Sequence, residues 1–221
     1  MGRVAVILGS SAIGAGGEQV VSAAAGDGGV VLRRHGSDSH VPPHLLAHVE
    51  NLRSLVEEGC DRVLAIGSVG SLKEEIGVGA FLCPDDFIAL ESIPSTFPDA
   101  RGHLPPRFDP EWRAQTIAAW RAGGGELRDG GVYWQTTGPR FETPAEIRMM
   151  APHCDVVGMT LATECVIATE LGLRYAAICN VDNMANGIGS PLDVDELQRN
   201  RLANGKRLSD ALGTAIAELI P

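Results

Sequence analysis

Aromatic side chains make up only 5% of this 221-residue chain, and no apolar run in it is long enough to cross a bilayer. A spanning helix needs about 20 consecutive apolar residues, so no membrane partner is expected. Met1-Gly2-Arg3-Val4 leads straight into a strand pattern and not into a secretion signal. There is no Lys/Arg run either, and the net charge is −10, which argues against nucleic acid and against anionic membranes as partners. The five cysteines (Cys60, Cys83, Cys154, Cys165 and Cys179) are odd in number and show no CxxC spacing. They read as reduced, buried, small apolar residues of a cytoplasmic protein. His and Cys nowhere take a ligand-set spacing, so no metal site is expected. Repeats, linkers and shifts of composition are absent as well, leaving one domain over residues 1–221.

What the chain has is glycine (27 residues) and an alternation of apolar strands with helical patterns. Val4 to Leu8 is continuously apolar, as in a strand buried on both faces. It runs into the small, hydroxyl-rich loop Gly9 to Gly14, where backbone amides and a serine can meet an anion. A second strand, Val30 to Leu32, ends in Arg33-Arg34-His35-Gly36; a third, Arg62 to Ile66, runs into a further small-residue loop, Gly67 to Leu72. Short strands flank Pro84-Asp85-Asp86, and residues 91–110 form a proline-rich excursion. Helices are predicted over His44–Glu57, Glu111–Ala122, Leu161–Leu171 and Val194–Leu219, and Tyr175–Cys179 is a strand leading to Asn180-Val181-Asp182-Asn183. This pattern predicts an α/β/α sandwich around a central mixed β-sheet.

The stretch Gly138-Pro139-Arg140-Phe141-Glu142-Thr143 joins a strand (Val132–Gln135) to a helix (Pro144–Met150). It sets a ring, a carboxylate and a guanidinium at a strand-to-helix junction, where ligands of α/β proteins bind. Taken singly, each candidate has a plainer reading: Phe141 and Met159 as core, Glu142 as a helix cap, Arg34-His35 as a solvated strand end, Arg140 as structural.

Several segments occur together and in order: LRRHG (Leu32–Gly36), GSLKEEIGVG (Gly70–Gly79), Asp85–Phe97, GPRFETPAE (Gly138–Glu146) and VGMTLATE (Val157–Glu164). In these the chain resembles the trimeric purine nucleoside phosphorylases, most closely the methylthioadenosine phosphorylase branch. The resemblance implies the nucleoside phosphorylase-like fold and phosphorolysis of a purine nucleoside to free base and ribose-1-phosphate. It also implies inorganic phosphate as co-substrate, no other cofactor, and a homotrimer or dimer of trimers. By position, Ser11, Arg34, His35, Ser68 and Thr160, with the amides of Gly67–Ser68, would hold phosphate, with Ser11, His35 and Asn183 catalytic. Met159 would lie under the ribose, and Phe141, Glu142 and Asn183 would meet the base.

An amide at Asn183 can donate to N7 and to a 6-oxo oxygen, and Glu142 can accept the N1–H of a 6-oxopurine. The adenine-directed branch has Asp there and a second Asp two residues on; this chain has Asn183 and Ala185. Inosine, guanosine and 5′-methylthioinosine are therefore the expected substrates, with methylthioadenosine as the alternative. The pattern departs at Ala12, Gly67, Val49 and Glu50, and no histidine follows His153 to hold a 5′-hydroxyl. Leu192, Val194 and Leu197 would instead suit an apolar 5′ group. A nucleosidase of the same fold, with Glu142 activating water, is the competing enzyme reading; a non-catalytic nucleoside- or phosphate-binding protein is the other. His40, His44, His48, His103 and His153 are expected to be surface or structural.

Overall fold

The computed structural model describes residues 2–13, 17–36 and 40–220, except the side chains of Ser11 and Ile13. Its strands are β1 (Arg3–Leu8), β2 (Gly29–Arg33), β3 (Cys60–Ser71), β4 (Phe81–Cys83), β5 (Asp86–Ala89), β6 (Arg128–Asp129), β7 (Val132–Gln135), β8 (Val156–Gly158) and β9 (Arg174–Met184). The helices are α1 (Ser10–Ile13), α2 (Gly17–Ala25), α3 (His48–Glu57), α4 (Pro110–Ala122), α5 (Pro144–Met150), α6 (Leu161–Glu170) and α7 (Val194–Leu219).

Strand alternation explains the layers. Ala5 and Ile7 on β1 face one core with Leu52 and Leu55 of α3 and Ala162 and Cys165 of α6. Val4, Val6 and Leu8 face the other, with Val21 of α2, Trp112 and Trp120 of α4, and Leu208 and Leu212 of α7. Period-two side chains thus bury both faces of the sheet under helices, giving the expected α/β/α sandwich. A smaller third cluster packs α5 (Ile147, Met150) on Trp134, Val157 and Ala185. All five cysteines are buried and unbridged. No helix among the described residues is long and apolar enough to cross a membrane.

The mixed sheet has nine strands, and β3 is its axis. One edge of β3 pairs in parallel with β9 from Arg62 to Ser71. The other edge pairs first with β1, in parallel, as far as Leu8 opposite Ile66. It then pairs antiparallel with β8 at Gly70 and Ser71. Between these partners, residues 67–69 have neither β1 nor β8 on that edge, so the sheet forks there. The loops after β1 and β2 and the end of β8 all open into the fork. Such a divergence of neighbouring strands is where α/β sheets leave room for ligands.

Several expectations need correction here. Gly67–Leu72 is not a loop, since β3 continues to Ser71, and β9 runs past the expected Cys179 to Met184. The parallel pairing of two long central strands outweighs the poor strand propensity of Gly67, Gly70 and Asn183. Likewise Gly9–Gly14 contains the one-turn helix α1, and the helix expected from His44 starts at His48 after a 3₁₀ turn at Pro43–Leu45. The excursion over 91–110 is irregular but anchored, with Glu170 accepting from the Ser95 hydroxyl (2.7 Å) and from Thr96 N–H (2.6 Å).

Candidate active site

The fork holds a cavity of about 390 Å³, lined by Arg34, His35, Ser68, Phe141, Glu142, Met159, Thr160 and Asn183. Eight of the nine residues singled out from the sequence therefore share one cavity, although they come from five separate stretches of chain. The ninth, Ser11, has a side chain outside the described residues. The structure adds His40, Gln198 and Arg201 to the lining.

Arg34 follows β2, and its guanidinium fits only because position 9 is glycine: a Cβ on Gly9 would lie 2.6 Å from Nη1. Nη1 donates to the Ile66 carbonyl at 2.7 Å, and Nε and Nη2 donate to the two carboxylate oxygens of Glu164. Tyr175 also donates to Glu164, at 2.7 Å. Both charged side chains are 2% exposed. Burial alone would raise the Glu164 carboxyl, but the Arg34 charge outweighs it and holds the group below the usual carboxylate range. Arg34, expected among the residues that hold phosphate, reaches the cavity as half of a neutral pair.

His35 hydrogen-bonds the Val41 carbonyl through Nδ1 at 2.8 Å. A carbonyl only accepts, so the proton is on Nδ1 and the Nε2 lone pair is the acceptor left to the ring. The ring stacks on His40 at 4.4 Å between centroids; His40 is exposed, as expected, and also lines the cavity. Burial, with a smaller contribution from the Arg34 charge, pushes His35 down to about 4. An unfolded chain takes up this proton near pH 6.5, the folded one only near pH 4. The neutral ring's contribution to stability is therefore complete above pH 6.5 and is lost as pH falls toward 4. A proton NMR titration of His35 should have its midpoint near pH 4; a midpoint at about 6 or higher would contradict the buried, neutral ring.

Ser68, on the open edge of β3, donates its hydroxyl hydrogen to Asp182 Oδ2 at 2.5 Å. Asp182 is fully buried and also accepts from Asn180 (2.7 Å) and Asn204 (3.4 Å). The Ser68 oxygen thus arrives at the cavity with its proton already engaged. Thr160 precedes α6, is 7% exposed, and its hydroxyl makes no capping bond to that helix. The amides of Thr160 and Leu161 donate instead to the buried Tyr133 hydroxyl, at 3.1 and 3.4 Å. Gly67, one of the departures from the family pattern, is explained by packing: a Cβ there would meet Leu161 at 2.9 Å.

Gly138 has φ +67°, and Met159 fills the notch it leaves, with Sδ 2.5 Å from where a Cβ would stand. The thioether is thereby fixed at the cavity wall. Thr143 caps α5 in a capping box with Glu146, and Arg140 grips Glu146 at 2.7 and 2.9 Å. Glu142 is thus not the helix cap; it is buried, and its Oε1 accepts from Thr136 at 2.7 Å. Phe141 is 39% exposed, an aromatic face that no core covers. Asn183 donates Nδ2 to the Met184 carbonyl at 2.8 Å, over Gly70, whose missing Cβ would lie 3.2 Å from that nitrogen.

Sequence reasoning missed Glu164, Asp182 and Arg201. Helical phase could have found the last, since Val194, Leu197, Gln198 and Arg201 recur on one face of α7. Ser68 and Asp182, 114 residues apart, meet only through the register of β3 with β9.

The cavity wall therefore carries arginine, imidazole and hydroxyl groups together with an aromatic ring, a carboxylate, a carboxamide and a thioether. Such a wall has groups able to meet a polar ring and groups able to meet an anion.

The comparisons with known proteins point the same way. Over 191 residues the chain is 36% identical to a "probable 6-oxopurine nucleoside phosphorylase" of Archaeoglobus fulgidus, covering 86% of this chain and 79% of that one. It is 41% identical over 191 residues to a "probable S-methyl-5′-thioinosine phosphorylase" of Methanothermobacter thermautotrophicus, covering 85% and 68%. In fold it is similar to the methylthioadenosine phosphorylase of Schistosoma mansoni in complex with tubercidin. That match has a TM-score of 0.78 at 23% identity and covers 98% of this chain and 91% of the other. The family model of the phosphorylase superfamily matches residues 9–217, and the chain belongs to that superfamily.

Proposed function

We propose that the chain cleaves the glycosidic bond of a purine nucleoside by phosphorolysis, with 6-oxopurines favoured. The observation that carries this is that Phe141, Glu142 and Asn183 share one cavity with Arg34, His35 and Thr160. A ring bound at the first trio places its sugar over Met159 and its anomeric carbon toward the second. The bond from that carbon to the purine breaks with its electron pair going to the base, and a phosphate oxygen forms the new bond. The hydrogen of HPO₄²⁻ ends on the released base. His35 Nε2, an acceptor, suits that P–OH group, and Asn183 stabilises the negative charge that develops on the purine. Glu142 accepts N1–H, which a 6-oxopurine carries and adenine does not.

Relatives bearing both kinds of name support the reaction and leave the base as the point to test. Two Pyrococcus relatives, 34% and 35% identical, are named S-methyl-5′-thioadenosine phosphorylase. Phosphate is the only co-substrate proposed, and the working unit a homotrimer, which sedimentation would check. The deciding measurement is base release from inosine, guanosine, adenosine and their 5′-methylthio forms, with and without phosphate. We expect release to require phosphate and to be fastest with 6-oxopurines. Equal rates without phosphate would establish a nucleosidase, and a preference for adenosine substrates would overturn the roles of Glu142 and Asn183.

A further inference from the structure

The donors expected to hold phosphate are largely spent within the protein. Arg34 is matched by Glu164, the single N–H of His35 goes to Val41, and Ser68 gives its proton to Asp182. A dianion is bound tightly by charge-assisted donors, and these three supply few. The other guanidinium in the cavity is Arg201, on the first half of α7, with its side chain 28% exposed. Its Nη2 stands 3.4 Å from Ser68 Oγ. Its Nε is 3.7 Å from Asp182 Oδ2, too far for a hydrogen bond, and is buried without a hydrogen-bond partner among the described residues. Asp182 accepts short hydrogen bonds from the neutral donors Ser68 and Asn180. Arg201 is thus held near a carboxylate but not locked to it, beside Ser68 on the open edge of β3.

We infer that Arg201 is a phosphate-binding residue of this site, with Asp182 as its counter-ion while phosphate is absent. When phosphate enters, the guanidinium turns from the long contact with Asp182 to the anion, and Asp182 stays satisfied by Ser68, Asn180 and Asn204. This rests on the phosphorolysis reading and adds to it a second cation beside Arg34, whose charge Glu164 already matches. The same arginine could instead serve a polar 5′ group on the sugar, since Gln198 and Leu197 lie on the same helical face.

The test is phosphate binding by calorimetry without nucleoside, together with KM for phosphate and for nucleoside, in the wild type, Arg201→Met and Arg201→Lys. Loss of one charge-assisted contact should weaken phosphate in Arg201→Met by about 10- to 100-fold. The nucleoside KM should change by less than about threefold, and Arg201→Lys, which keeps the charge, should retain most of the binding. Wild-type phosphate affinity in Arg201→Met, a rise in nucleoside KM alone, or a loss in Arg201→Lys as large as in Arg201→Met would each overturn the role. If the wild type binds no phosphate and releases base without it, the phosphorolysis reading falls too. If it binds phosphate and Arg201→Met binds equally well, only Arg201 falls.

Discussion

On the proposed reading, Asn183→Asp should lower kcat/KM for inosine by about 100-fold or more, because it removes the amide that donates to the purine and adds a carboxylate to a cavity that Glu142 already lines. Adenosine, whose 6-amino group donates, should lose far less, so the inosine-to-adenosine ratio should collapse. Steady-state kinetics on both substrates checks this; inosine activity within about threefold of wild type would remove Asn183 from the base site. The geometry sharpens the expectation. The Asn183 amide is seated over Gly70 and donates to the Met184 carbonyl, so a carboxylate there would face a carbonyl oxygen as well as the substrate.

The largest effect on stability is expected at Glu164. Replacing it with leucine strands the Arg34 charge in a place where both side chains are 2% exposed, and breaking a buried pair from one side costs about 3–5 kcal/mol. Urea unfolding should show that loss. Arg34→Met combined with Glu164→Leu should recover at least about half of it, since no buried charge is then left unmatched. A Glu164→Leu variant within about 1 kcal/mol of wild type would mean that water or another group already balances Arg34. Tyr175→Phe, which removes only a neutral donor to Glu164, should cost about 1 kcal/mol.

What could be read from the sequence follows from how local each cause is. Val4–Leu8 announced itself because a strand covered on both faces has no polar alternation to hide it. Arg34 and His35 stood out as charge placed directly after an apolar strand, and Phe141 and Glu142 as a ring and a carboxylate between a strand and a proline-led helix. The extents of β3 and β9 were not legible, because glycines and asparagines in both are tolerated only through each other's pairing. Nor was the state of the donors. That Arg34 is neutralised, that Ser68 has surrendered its proton and that His35 is an acceptor depend on Glu164, Asp182 and Val41. Two of these lie more than a hundred residues from their partners in the chain. Helix α2, after a glycine-rich stretch, gave no distinct pattern.

Helix α7 is 26 residues long, about 39 Å at 1.5 Å per residue, and its two halves carry different duties. From Asn204 onward it buries Leu208, Leu212, Ala215 and Ile216 in the core, whereas among residues 194–203 only Leu197 is buried. The half that faces the cavity, with Val194, Gln198 and Arg201, therefore adds little to folding. Substitutions there can drift, one residue at a time, without endangering the fold. In evolutionary terms the first turns of α7 are where this scaffold can change one wall of its cavity, while the sheet stays unchanged.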